Sequence, residues 1–143
     1  MIAVDTNLLV YAHRSAYPEH KATVCALEDL FQRPEGWGIP LSCLSEFWSL
    51  VTHPKMGSRP SSPVEAEDFL SCMLTDGEGM IFSPGIEFAF RLMQMARDLK
   101  ITGTKMFDLQ IALTAVDNGV KELWTHDKAF LKIPGLRIND PLA

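Results

Sequence analysis

The sequence has no apolar run approaching the roughly 18 residues that a bilayer-spanning helix needs. Its opening residues, MIAVDTN, put no basic stretch ahead of an apolar signal core. The expectation is a protein without a spanning helix or secretory leader, located in the cytoplasm. Cysteine is scarce as well: there are three, Cys25, Cys43 and Cys72. The number is odd, no Cys-x-x-Cys or Cys/His spacing connects them, and each lies in an apolar pattern, so they read as reduced core thiols and not as disulfides or zinc ligands. Basic charge is also in short supply. Thirteen Lys and Arg against eighteen Asp and Glu leave a net charge of −5, which argues against a nucleic-acid coat protein without excluding an enzyme that acts on nucleic acid. The four histidines, His13, His20, His53 and His126, share no metal-ligand spacing.

What is present is a chain of 143 residues, 47% of them hydrophobic, enough to bury one core without disulfides or a structural metal. Helical periodicity appears in NLLVYAHR and in EHKATVCALEDLFQRP, where Ala22, Cys25, Ala26, Asp29 and Leu30 fall near one face. A brief extended piece around Ile39 leads to a helix for which Ser42 is the expected N-cap and Pro54 the stop. MGSRPSSP reads as loop. Beyond it the order is helix (VEAEDFLSCML), strand (MIF), helix (GIEFAFRLMQMARDLK), helix (MFDLQIALTAVDNG), strand (KELWT), a turn carrying HDKAF, and a last extended piece, GLRIND. Short strands separated by longer helices define an α/β fold. We expect one domain over residues 1–143 with a short, mostly parallel central sheet flanked by helices.

Ligands of such folds sit beyond the carboxyl ends of the strands, and the strand IAV runs directly into Asp5. Three more acids are as awkwardly placed. Glu46 lies among Leu44, Phe47, Trp48 and Leu50, Asp108 interrupts MFDLQIAL, and Asp127 follows ELWT as Asp5 follows IAV. Any one of them has an ordinary explanation, as a helix cap, a dipole partner or, for Asp108, an ion pair with Lys105. Four acids at strand ends and helix starts suggest a shared purpose. Hard oxygen donors without His or Cys suit Mg²⁺, with Mn²⁺ as a substitute. Crowded without a metal, such carboxylates raise one another's pKa.

The segments DTNLLVYA, LSEFWSLVTHP, FDLQIALTA and WTHDKAFLKIPGLRINDPL, in that order through nearly the whole chain, resemble the PIN-domain ribonucleases, most closely the VapC toxins of bacterial toxin-antitoxin pairs. The resemblance implies a single PIN-like domain in which Asp5, Glu46, Asp108 and Asp127 form an acidic metal pocket, with Thr6, Asn7 and Thr125 orienting ligands. It further implies an RNA substrate, a VapB-like antitoxin as partner and a homodimer, for which the first two helices, with Val10, Tyr11 and Leu27, offer candidate surface. Two positions depart from the family pattern. Ala129 stands where many relatives carry a further acid, and Leu109 replaces a small residue.

The implied reaction is Mg²⁺-dependent hydrolysis of RNA phosphodiester bonds. Lys55, Arg59 and Lys105 are candidate phosphate contacts, and Trp37, Trp48 and Trp124 candidate base stackers, although Trp48 and Trp124 sit inside apolar elements that favour packing. Two rivals differ in kind. A haloacid-dehalogenase-like phosphatase would use Asp5 as phosphoryl acceptor but wants an acid at the position of Asn7. A catalytically silent α/β module would bind only a protein partner.

Overall fold

The computed structural model of the chain describes residues 1–57 and 59–143. Of the loop stretch 56–63, Ser58 lies outside the described residues. The chain runs β1 (Ile2–Val4), α1 (Thr6–His13), α2 (His20–Phe31), β2 (Trp37–Pro40), α3 (Leu41–Thr52), α4 (Pro63–Thr75), β3 (Met80–Phe82), α5 (Phe88–Asp98), α6 (Lys105–Asp117), β4 (Glu122–Trp124) and β5 (Arg137–Asn139). The strands form one sheet in the order β3-β2-β1-β4-β5, and every pairing is parallel. Parallel strands need covered crossovers, so helices shield the sheet, and β1, β2 and β4 are buried at every position.

From β1 the chain builds outward to β2 and β3, then returns to lay β4 on the other side of β1. Between β1 and β4 the winding reverses, which opens a crevice at their carboxyl ends. The Asp5 amide donates to the Trp124 carbonyl at 2.9 Å, and the Thr125 amide to Asn139 at 2.9 Å. The residues just past both strands are thereby fixed side by side. Close packing within the sheet shows at Gly38 on β2, where a Cβ would lie 2.6 Å from the Met80 carbonyl oxygen.

One continuous apolar cluster joins the sheet to α1, α2, α3, α4 and α6. The contribution of α5 is different. It buries no residue fully and is tied to α6 by Arg91, whose Nη1 donates to Asp117 Oδ1 at 2.7 Å. Its apolar side chains Phe90 and Met93, with Ile86 just before it, face outward.

Several expectations from the sequence need correction. The helix after β2 starts at Leu41, with Pro40 in the cap position and no side-chain cap, because strand and helix join without a loop. Ser42 is therefore inside the helix, not its N-cap. On α2 the buried stripe is Thr23, Leu27 and Leu30, at i, i+4 and i+7. The stripe through Ala22, Cys25 and Asp29 is the outer one, so Cys25 is exposed. Cys72 is exposed on α4 for the same reason, and only Cys43 is a core thiol. Trp37 is buried against Phe31 and donates its indole N–H to the Gly77 carbonyl at 2.7 Å, leaving no face for a base. Trp124 is likewise buried, and Trp48 packs against the core. Val10 and Leu27 lie inside the core and so are not available as an interface between copies, while Tyr11 is partly exposed and packs on Tyr17 and His126.

Candidate active site

A cavity of about 650 Å³ occupies the crevice, and Asp5, Glu46, Asp108 and Asp127 all line it. Four elements deliver them. Asp5 is the N-cap of α1, accepting the Thr6 amide on Oδ1 at 2.7 Å. Glu46 projects from the middle of α3, not its start. That helix buries Cys43, Phe47 and Val51, which turns Ser42, Glu46 and Leu50, four residues apart, towards the cavity. Asp108 stands in the first turn of α6, and Asp127 in the turn after β4.

Asp5 is the most confined of the four, with 7% of its surface exposed. Burial pushes its carboxyl up to about 6; hydrogen bonds from Thr125 and Thr6 counteract this, and the charges of Glu46 and Asp108 add the smallest contributions. Desolvation, more than the crowding of like charges expected from the sequence, dominates. The other acids meet local donors. Asp108 pairs with Lys105 at 3.2 Å and accepts the Leu131 amide at 3.2 Å. Asp127 accepts the Ala129 amide at 2.9 Å. Glu46 is exposed and lines the cavity, and its carboxylate makes no hydrogen bond among the described residues.

Thr125 organises the centre. Fully buried, it donates to Asp5 Oδ2 at 2.8 Å and accepts from Asn7 Nδ2 at 3.0 Å and from the Asp127 amide at 3.1 Å. Asn7 in turn accepts the His126 amide on Oδ1 at 3.2 Å. The three supporting residues named from the sequence thus surround Asp5. Thr6, 3% exposed, lines the cavity, and its hydroxyl has no hydrogen-bond partner among the described residues. The Ser42 hydroxyl, on the same cavity, is also buried and unpartnered.

Of the candidate phosphate contacts, only Lys105 reaches the cavity, where it also bonds the Ala129 carbonyl. Lys55 and Arg59 do not line it, and Arg59 pairs with Glu65 at 3.0 Å. His126 is held by Asp140 at 2.9 Å. Sequence reasoning passed over Ser42, Leu50, Phe107 and Gln110, which also line the cavity. Their spacing carried the signal: 42 and 50 share a helix face with Glu46, and 107 and 110 lie three apart on α6, on either side of Asp108 in sequence.

Among the described residues, no three His, Cys, Asp or Glu side chains converge closely enough to hold an ion as they stand. The donor chemistry nonetheless fits a hard divalent cation. All four acids are oxygen donors lining one cavity, and Thr6 and Ser42, whose buried hydroxyls have no hydrogen-bond partner among the described residues, line it too.

The PIN domain family model matches residues 2–136. A VapC ribonuclease of Mycobacterium bovis and ribonuclease VapC43 of Mycobacterium tuberculosis are each 32% identical to this chain over 142 residues, spanning 99% of it and 96% of the relative. Solved structures share the fold. FitAB bound to a DNA fragment aligns with a TM-score of 0.70 at 18% identity, covering 100% of this chain and 96% of the other. VapBC2 of Rickettsia felis, bound to a DNA fragment from its promoter, aligns at 0.67 with 23% identity over 98% of both chains. The chain belongs to the PIN-domain family and, within it, to the VapC ribonucleases.

Proposed function

We propose that this protein is the endoribonuclease toxin of a type II toxin-antitoxin pair and hydrolyses RNA phosphodiester bonds with Mg²⁺ held by Asp5, Glu46, Asp108 and Asp127. The observation that carries the reading is the convergence of four acids, spread from position 5 to position 127, on one cavity at the switch point of the sheet. When bound, the cation supplies a water acidic enough to attack near neutral pH and neutralises charge on the phosphoryl oxygens. Mn²⁺ would substitute for it.

The chain's own residues do the rest. Asp5 is held from both oxygens, by the Thr6 amide and the Thr125 hydroxyl, so its orientation is set before any ligand arrives. Asp108 and Asp127, each oriented by a backbone amide, from Leu131 and Ala129 respectively, would help hold the ion. Lys105 offers an ammonium to a phosphate oxygen. A dehalogenase-like phosphatase is disfavoured because Asn7 is spent on holding Thr125 and the His126 amide.

The partner in this reading is a small VapB-like antitoxin that inserts an Arg among the carboxylates, a bidentate contact. The solved VapBC2 and FitAB structures, similar in fold, are named for such pairs. A homodimer would form through the outward face of α5. A cytoplasmic setting suits the pair, and no helix among the described residues is long and apolar enough to cross a membrane.

Incubating the purified protein with total RNA, with and without Mg²⁺, and mapping new 5′ ends tests the reading. Discrete cuts that need the ion are expected. An unchanged RNA pool, with Mg²⁺ binding absent by calorimetry, would leave only the silent-module alternative.

A further inference from the structure

A second cavity, of about 320 Å³, adjoins the acidic one and shares Ser42 and Gln110 with it. Its walls are Leu41, Pro84, Ser42, Ser45, Gln110 and Thr114. No charged residue lines it, in contrast to its acidic neighbour. A neutral, flat group with hydrogen-bonding edges suits such a space; a phosphate does not. Thr114 is occupied, donating to the Gln110 carbonyl at 2.7 Å. Free for a ligand is the Gln110 side-chain amide, which makes no hydrogen bond among the described residues; the Ser42 hydroxyl also lacks a partner but is itself buried.

On the rim of the acidic cavity stands Phe107, 62% exposed and without a ring partner among the described residues. Phe107, Gln110 and Thr114 fall at i, i+3 and i+7 of α6, so they form one stripe leading from the acids to the second cavity. An aromatic face this open, one residue from a proposed metal ligand, is what a splayed base stacks on.

We infer that the second cavity and this rim form a base subsite, in which a nucleotide flanking the scissile phosphate stacks on Phe107 while Gln110 reads its edge. The inference rests on the ribonuclease reading and adds to it the residues that hold the base beside the cut. A side-chain amide presents a donor and an acceptor together, and can therefore discriminate among bases.

The test begins from the mapped cuts. Oligonucleotides spanning one cut carry each of the four bases in turn at the flanking position, and 2-aminopurine there reports stacking by its quenched fluorescence. Native protein is expected to quench the probe and to prefer one base by about tenfold in cleavage rate. Phe107→Ala should abolish the quenching and weaken binding about tenfold, with Phe107→Tyr restoring both. Gln110→Ala should still quench, since Phe107 is intact, but its cleavage should show the base preference flattened. Melting curves establish that each variant is folded. If RNA is cut but Phe107→Ala quenches as the native protein does, or Gln110→Ala keeps the native preference, the subsite is wrong and the ribonuclease reading stands. If native protein cuts no RNA, both fall.

Discussion

The Thr125 hydroxyl donates to Asp5 Oδ2 at 2.8 Å, joining residues 120 apart in the chain at the ends of β4 and β1. The same oxygen accepts from Asn7 and from the Asp127 amide, so one buried hydroxyl holds a carboxylate, a helix and a turn. Its bond to Asp5 lowers a pKa that burial raises. Thr125→Val keeps the shape and removes all three bonds. The buried carboxylate then loses a donor, which costs about 1–3 kcal/mol. Denaturant unfolding at neutral pH should show that loss, and titration of Asp5 by NMR should move above 6. A variant as stable as the native protein would mean that Thr125 only fills space.

Asp5 also makes the metal-free protein sensitive to pH in a defined window. Its carboxyl rises from 3.8 to about 6 on folding, so between those values the folded chain keeps a proton that the unfolded chain has released. Stability is full below 3.8 and declines as pH rises to 6, by about 3 kcal/mol if this group acted alone. Asp5→Asn has no such charge and keeps an oxygen for the Thr6 amide. In the absence of divalent ions, its melting temperature should exceed the native one at pH 7.5, with the gap closing by pH 4. Mg²⁺ should raise only the native curve, because binding to the folded state alone stabilises by mass action. Equal gaps at both pH values would place the strain elsewhere.

The strands and helices were legible because they follow local patterns: IAV and MIF are β1 and β3 to the residue. The four acids were legible because an acid at the end of an apolar strand or in an apolar helix is costly without a purpose. Faces were harder. On α2, both the stripe through Cys25 and the one through Leu27 have helical spacing, and only the neighbours decide which is inward. The rim residues Phe107 and Gln110 read as ordinary members of α6, because their position depends on how α6 lies against α3 and β2, a contact between segments far apart in sequence.

The outward face of α5 leads to a prediction about assembly. Ile86, just before α5, and Phe90 and Met93, three residues apart on it, are 89%, 70% and 56% exposed, and the helix buries none of its residues. Such a patch on one protein commonly marks a contact surface. Phe90→Asp should turn a homodimer into a monomer in sedimentation equilibrium at micromolar concentration, without lowering the melting temperature of the monomer. A native protein that is already monomeric there, or a variant that remains dimeric, removes α5 from the interface.

Lys105 separates two roles for charge in the cavity. Its ammonium pairs with Asp108 at 3.2 Å and bonds the Ala129 carbonyl, so it competes with a cation for Asp108 while offering positive charge to a phosphate. The pair is partly exposed, which keeps its share of stability below about 1 kcal/mol. Lys105→Ala should therefore melt within a few degrees of the native protein. With Asp108 released, it should bind Mg²⁺ more tightly in calorimetry and yet cleave RNA about tenfold more slowly, since a charge-assisted phosphate contact is gone. Asp108→Asn is the complement: it keeps an acceptor for the Leu131 amide, so it should fold as well as the native protein, but its Mg²⁺ binding and cleavage should both collapse. If Lys105→Ala binds the ion no better and cleaves at the native rate, the ammonium is a surface partner of Asp108 and nothing more. If Asp108→Asn keeps its affinity for Mg²⁺, the ion is held by the other three acids, and α6 contributes the walls of the cavity but not its metal ligand.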